Sequence, residues 1–385
     1  MAEVELEIQH EVVAKSRSLA ESLRVAARAY GRRPFDLVRE VAGVSFGAGK
    51  VTPAEYFEMR LFDTEHVSRD GLSAFAGRRA AVRANFVCNH DLHWMGISGD
   101  KLLFHPLALG LGLPVPELQA VYVSGRTMGH VPVFESTQDL RGFLSDPSSY
   151  PLFCKPNTTR QSVGTASLDR YDPASDEVVD LFGRRTKLET FLSEIERYRE
   201  DGMLFDRRVA PHPELEALAG PALSTVRVLV METGGVRRIA RAHLKLPARG
   251  NVADNSWRAG NMAVAIDAET GVLQRALAGN GIDAVELTEH PDTHTPLAGF
   301  RLPFWTELRD LALRASRCLP GLRIQGWDIA IGVDGPLLVE VNGDPDWAVT
   351  QMLTGRGLYD EELRAMVERL RPVAHKAFKE RLLGA

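Results

Sequence analysis

The stretch Gly326-Trp-Asp-Ile-Ala-Ile-Gly-Val-Asp-Gly-Pro-Leu-Leu-Val-Glu-Val-Asn-Gly-Asp-Pro-Asp346 reads as two apolar strands joined by a tight Val-Asp-Gly-Pro turn. The first strand carries Asp328, the second Glu340 and Asn342. Strand side chains alternate, so Glu340 and Asn342 share a face, and a hairpin can bring Asp328 beside them. Unpartnered buried carboxylates are costly, and an oxygen-only cluster suits magnesium, which takes few carboxylates plus substrate phosphates. The spacing alone is equally compatible with a solvated hairpin whose polar face looks at water.

Upstream, cations punctuate apolar strands. Lys155 ends the run Leu152-Phe153-Cys154 and precedes Pro156, where a lysine can reach a phosphate as a point charge. The polar loop 157–164 follows and has backbone amides for covering phosphates, although an ordinary surface lysine and turn fit the same residues. No Walker loop occurs. Lys101 opens an apolar helix and reads either as a helix-start residue or as a second phosphate lysine. Arg227 lies inside the apolar strand 223–231; the return strand carries Arg241, His243 and Lys245 on one face. The loop 250–262 holds Asp254, Asn255, Arg258 and Asn261, and long loops in compact domains tend to be functional. His212 and His243 lack metal spacing and read as structural.

Periodicity predicts a helix over 3–30, with Val12, Val13, Leu19, Leu23 and Ala27 on one face, then a break at Gly31 and a capped helix start at Thr52-Pro53-Ala-Glu55. Residues 1–95 read as mainly helical. Beyond them short strands, hairpins and helices alternate irregularly, which argues α+β. The expected division is 1–95, 96–204 and 205–385.

At 385 residues the chain is long enough for two or three units. A formal charge of −5 gives no support for a nucleic-acid surface. No apolar run reaches membrane-span length. The acidic start lacks a signal peptide's basic n-region, and Cys88, Cys154 and Cys318 have no paired spacing, so a reducing cytoplasm is expected.

Taken in order, these pieces resemble the ATP-grasp superfamily from about residue 89 to 350. They are most similar to the sugar-transfer-associated ATP-grasp group: Asp100-Lys101-Leu-Leu-Phe, Gly112-Leu-Pro-Val-Pro116, Thr225-Val-Arg227, Asp254-Asn255, Gly326-Trp-Asp328 and Glu340-Val-Asn342. The resemblance implies two α+β subdomains gripping ATP. Lys101 and Lys155 would touch its phosphates, and the hinge Phe205-Asp206-Arg207-Arg208-Val209 would offer backbone bonds to adenine. Asp328, Glu340 and Asn342 would hold Mg2+. Arg227, Lys245, Arg258 and Asn255 would neutralise the transferring phosphoryl group and its acceptor. The implied activity is a carboxylate–amine ligase acting through an acyl-phosphate on small-molecule substrates. A phosphotransferase on a hydroxyl acceptor is the rival enzyme reading. An inactive nucleotide-binding scaffold is the third, and the retained Lys155, Asp328, Glu340 and Asn342 argue against it. Oligomeric state, a homodimer included, is left open.

The chain departs from the family pattern in five places, one being the Gly343-Asp344-Pro345-Asp346 run after Asn342, which either adds acids at the metal or shapes the acceptor pocket. The hinge has Asp206-Arg207-Arg208 where Gln or Glu is common. The loop after Lys155 is poor in glycine, and Lys245 stands where arginine is frequent. Residues 1–88 lack the usual α/β region preceding the grasp.

Overall fold

A computed structural model describes residues 17–129, 131–159, 162–255 and 258–383. Val12 and Val13 of the predicted first helix lie outside these residues, as do Arg160 and Gln161 of the polar loop and Ser256 and Trp257 of the long loop.

The chain opens with helices α1 (Leu19–Ala29), α2 (Pro34–Phe46), α3 (Pro53–Glu58), α4 (Arg78–Cys88), α5 (Leu92–Gly99) and α6 (Lys101–Gly110). Local chemistry sets their starts. Ser18 with Glu21, and Thr52 with Glu55, form reciprocal capping boxes; Pro34 and Pro53 occupy first turns. Asp100 caps α6 by accepting from the Leu103 amide at 3.0 Å.

Two seven-stranded sheets follow among the described residues. The first contains β1 (Leu118–Tyr122), β2 (Val133–Phe134), β3 (Leu152–Pro156), β4 (Ala166–Asp172), β5 (Glu177–Asp180), β6 (Arg185–Lys187) and β7 (Met203–Arg207), ordered β2-β1-β7-β3-β4-β5-β6. Helices α7 (Thr137–Leu144) and α8 (Leu188–Ile195) cover it, burying Leu140, Leu144, Phe191 and Ile195 against Leu152 and Phe205. The expected boundary at 204/205 falls inside β7, all of which pairs within this sheet.

After α9 (Pro213–Ala219) come β8 (Thr225–Thr233), β9 (Val236–Leu246), β10 (Met262–Ile266), β11 (Leu273–Ala278), β12 (Val285–Leu287), α10 (Trp305–Cys318), β13 (Ile324–Gly332), β14 (Gly335–Asn342), α11 (Ala348–Thr354) and α12 (Glu361–Leu383). The strands form the second sheet, ordered β12-β11-β10-β9-β8-β13-β14. Gly234 and Gly235, at φ 59° and 79°, close the β8–β9 hairpin in a left-handed conformation that only glycine adopts cheaply. Every residue of β13 is buried. One face packs Trp327, Ile329 and Ile331 with α10 residues such as Leu308, and the other packs Ile324 with Ala80, Ala84 and Val367 of α4 and α12. Sequence reading did not delimit β5, β6, β11 and β12; two of them, Glu-Val-Val-Asp and Arg-Thr-Lys, are too short and polar to carry a strand pattern.

The helical N-terminal region is fixed to the second sheet. Phe57, Met59 and Leu61 share a core with Ala263, Ala265, Leu277, Met352 and Leu353. Three buried amide side chains tie the backbones together. Gln351 bonds both the N–H and C=O of Ala76 at 3.0 and 2.9 Å. Asn89 donates to Ile324 O and Gly343 O and accepts from the amides of Arg323 and Ile324. Asn85 donates to Asp344 Oδ1 at 2.8 Å and to Pro345 O at 3.1 Å. Each satisfies buried main-chain groups that would otherwise be costly to desolvate.

Candidate active site between the two sheets

A cavity of about 750 Å³ is lined by residues of both sheets and of the N-terminal helices. Of the residues singled out from sequence, Lys101, Lys155, Asp206, Arg208, Val209, Arg227, Lys245, Asn255, Asp328, Glu340 and Asn342 line it. Arg258 does not. Its Nε donates to Asn251 Oδ1 at 2.6 Å, inside a loop organised by the fully buried Asn261.

On the second sheet, strand register creates a polar row. Glu340, Asp328, Arg227 and His243 are direct cross-strand partners on β14, β13, β8 and β9, so their side chains lie on one face. The hairpin thus brings Asp328 beside Glu340. Asp328 is 4% exposed and engaged by two cations. Arg227 forks onto it through Nε and through Nη2 at 3.0 Å, and Lys245 Nζ donates at 3.0 Å. Against the burial that opposes it, Arg227 and Lys245 hold this carboxyl well below the ordinary carboxylate range. Asp254 completes the group. Its Oδ2 accepts from the amide and hydroxyl of Thr225 at 2.8 and 2.5 Å, and its Oδ1 stands 3.5 Å from Lys245. Burial pushes its carboxyl up.

Glu340 and Asn342 are less enclosed. Asn342 Nδ2 donates to Glu340 Oε1 at 3.2 Å, leaving its own carbonyl oxygen on the same side of β14. Lys101 Nζ approaches Glu340 Oε2 at 3.6 Å and donates to the carbonyls of Asn157 and Thr159 at 3.0 and 3.2 Å. It therefore links the polar loop to the second sheet. Burial pulls its pKa down, against the attraction of Glu340.

On the first sheet, Lys155 at the end of β3 is 7% exposed and pairs with Asp206 Oδ2 on β7 at 2.8 Å. The other Asp206 oxygen is buried without a hydrogen-bond partner. Arg208 reaches Asp169 Oδ1 at 2.8 Å, and its Nη1 is buried and unpartnered. The hinge differs from expectation. β7 is central, flanked by β1 and β3, and the amides of Arg207 and Arg208 are taken by Glu117 O and Pro151 O at 2.7 and 3.0 Å. The loop's Gly164, at φ 80°, lies where a Cβ would meet Tyr198 Oη at 2.3 Å, so only glycine lets the loop pack there.

Among the described residues no three His, Cys, Asp or Glu side chains form a metal cluster. One accessible carboxylate, Glu340, with the amide oxygen of Asn342 and the adjacent Asp328, does suit magnesium, which binds through one or two carboxylates and completes its shell with phosphate oxygens and water.

Four residues at the site had no functional role assigned from sequence. Asp254 had no assigned role. Glu58 and Arg78 line the cavity from α3 and α4, where the sequence offered a helix start but no functional motif. His243, expected to be structural, does bond Thr350 Oγ1 at 3.2 Å through Nδ1, but it also lines the cavity. Burial, then Arg227 and Lys245, lower its pKa to about 3, so its imidazole is neutral.

Among solved structures, the chain is similar to the D-alanine-D-alanine ligase of Coxiella burnetii, at 12% identity and a TM-score of 0.38, covering 74% of this chain and 61% of that one. It therefore spans less than two thirds of that enzyme. The Bacillus anthracis D-alanine–D-alanine ligase matches at 12% identity and 0.38, covering 73% and 70%. The Bacillus anthracis enzyme complexed with ATP matches at 15% and 0.38, covering 73% and 69%. No curated protein matches the chain. The family model described as sugar-transfer associated ATP-grasp matches residues 90–367, more than half of the sequence, and the chain belongs to that family.

Proposed function

We propose that this protein is a magnesium- and ATP-dependent ligase that joins a carboxylate to an amine through an acyl-phosphate. The observation that carries the reading is one cavity lined by Lys101, Lys155, Arg227 and Lys245 together with the oxygen donors Glu340 and Asn342. Phosphoryl transfer needs positioned cations and a metal rather than a protein nucleophile.

In this reading Lys101 and Lys155 bind the nucleotide phosphates, and Asp206 yields Lys155 when a phosphate arrives. Val209, the first hinge residue whose amide makes no hydrogen bond among the described residues, faces the base. Glu340, Asn342 and Asp328 would hold magnesium, which would supply charge neutralisation for the phosphates. Arg227 and Lys245, fixed by Asp328 and Asp254, draw negative charge from the phosphoryl group as it moves. Asn255 borders the acceptor side of the same space. Arg258 supports that loop through Asn251. Residues 1–95 act as acceptor-side cap, the first sheet through β7 as lid, and the second sheet as metal-bearing unit.

The test combines ATP, magnesium, a panel of carboxylic acids and hydroxylamine. Hydroxamate with equimolar ADP supports the ligase. A stable phosphorylated product from a hydroxyl acceptor, formed without any amine, assigns the protein as a phosphotransferase. Glu340→Ala is expected to lower magnesium-dependent turnover at least about 100-fold; turnover within threefold of wild type removes Glu340 from the metal site.

A further inference from the structure

The cavity wall carries a second group of charged residues besides those assigned to the nucleotide and metal. It includes Glu55, Glu58 and Arg78 of the N-terminal region and Asp344 and Asp346 beyond β14. The N-terminal residues lie outside the family match, which begins at residue 90.

The carboxylates here are not equivalent. Glu55 is bound to the amides of Thr52 and Arg78 at 2.7 and 2.6 Å. Asp344 accepts from Asn85, and Asp346 accepts from the Ala348 amide at 2.8 Å. Asp283, in the turn packed against the end of α3, is paired with Arg17. Glu58, the last residue of α3, is half-buried and has no hydrogen-bond or ion-pair partner among the described residues. Burial, then Asp346 and Glu55, raise its carboxyl above the ordinary range, and the exposed Arg78 only partly offsets them. Its backbone is fixed, because Phe57 and Met59 on either side are core residues.

We propose that Glu58 takes the proton from the amine that attacks the activated carboxylate. The inference rests on the ligase reading above. An alkyl amine near neutral pH is an ammonium ion without a free electron pair, so a base must act before it attacks. Glu58 removes one ammonium proton. The freed pair forms the C–N bond at the acyl-phosphate carbonyl, and the C–O bond to phosphate breaks with its electrons on the leaving oxygen. The second nitrogen proton passes to that phosphate, giving the amide, hydrogen phosphate and protonated Glu58, which returns its proton to water. A carboxylate with a raised pKa suits this role, because base strength rises toward the working pH.

Two nucleophiles of similar size separate the steps. Hydroxylamine is largely unprotonated at pH 7 and needs no base, whereas ammonia is largely ammonium. With an acid that gives hydroxamate in wild type, Glu58→Gln is expected to retain hydroxamate formation within threefold. Its amide formation from ammonium chloride falls about 100-fold at pH 7, a loss that shrinks toward pH 9. Glu58→Asp, which keeps a carboxylate, recovers part of the amide rate. The proposal is overturned if Glu58→Gln makes amide within threefold of wild type. It is also overturned if Glu58→Gln loses hydroxamate and amide equally, or if wild type makes hydroxamate but no amide from saturating ammonium chloride. A wild type that makes no hydroxamate from any acid overturns the ligase reading itself, and this inference with it.

Discussion

Two groups of residues in the cavity wall, termed its nucleotide end and its other end, handle charge in opposite ways. At the nucleotide end each cation already has an internal partner: Lys155 has Asp206, Lys101 has Glu340, and Arg227 with Lys245 encloses Asp328. At the other end Glu58 stands without one. Buried charges left uncompensated are expensive, and each of these cations is neutralised by a carboxylate. The half-buried Glu58 tolerates isolation because water still reaches it.

The largest expected effect breaks the nucleotide end. Asp328→Ala leaves Arg227 and Lys245 buried without their shared carboxylate and should cost about 3–5 kcal/mol of unfolding free energy in urea. A cost below about 1 kcal/mol would mean that this end is wet, and the contrast between the ends would disappear.

A smaller effect follows from His243, which borders the same cations. Its folded pKa of about 3 lies below the unfolded value near 6.5, so the unfolded chain binds the extra proton. Its contribution is complete above pH 6.5 and falls by about 1.4 kcal/mol per pH unit as pH drops from 6.5 toward 3. Urea midpoints of wild type and His243→Gln should therefore converge as the pH is lowered from 7 to 5. Parallel curves would show that the imidazole carries no such linkage.

The smallest effect sharpens the comparison. Glu58→Gln removes like-charge repulsion with Asp346 and Glu55 and should leave stability at pH 7 unchanged or slightly higher, within about 0.5 kcal/mol. Because the folded pKa is raised, any gain belongs to pH above the unfolded carboxylate value and vanishes in acid. A loss of several kcal/mol would make Glu58 a structural residue.

The catalytic-looking hairpin was legible because strand alternation is local: Asp328, Glu340 and Asn342 follow from a period of two and one turn. Lys155 and Arg227 were legible for the same reason, as charges inside apolar strands. Capped starts at Thr52 and Asp100 needed only a few residues of context. That Arg258 lies outside the cavity lining and donates to Asn251 was not legible, because a long loop's sequence does not say which of its side chains fold inward and which face the cavity. The engagement of the Arg207 and Arg208 amides was not legible, because their partners, Glu117 and Pro151, come from other segments. Glu58 carried no signal at all, since its isolation depends on what Glu55, Asp344 and Asp346 bond elsewhere.

The sequence by itself determined the α+β character and the oxygen-and-cation inventory, which rest on short-range periodicity and spacing, and its ordered motifs carried the family resemblance. The tertiary structure alone decided which charges neutralise one another and that the N-terminal helices, anchored by Asn85, Asn89 and Gln351, wall the other end of the cavity. The reason is physical: burial and pairing are properties of residues separated by tens to hundreds of positions, and no local pattern encodes them.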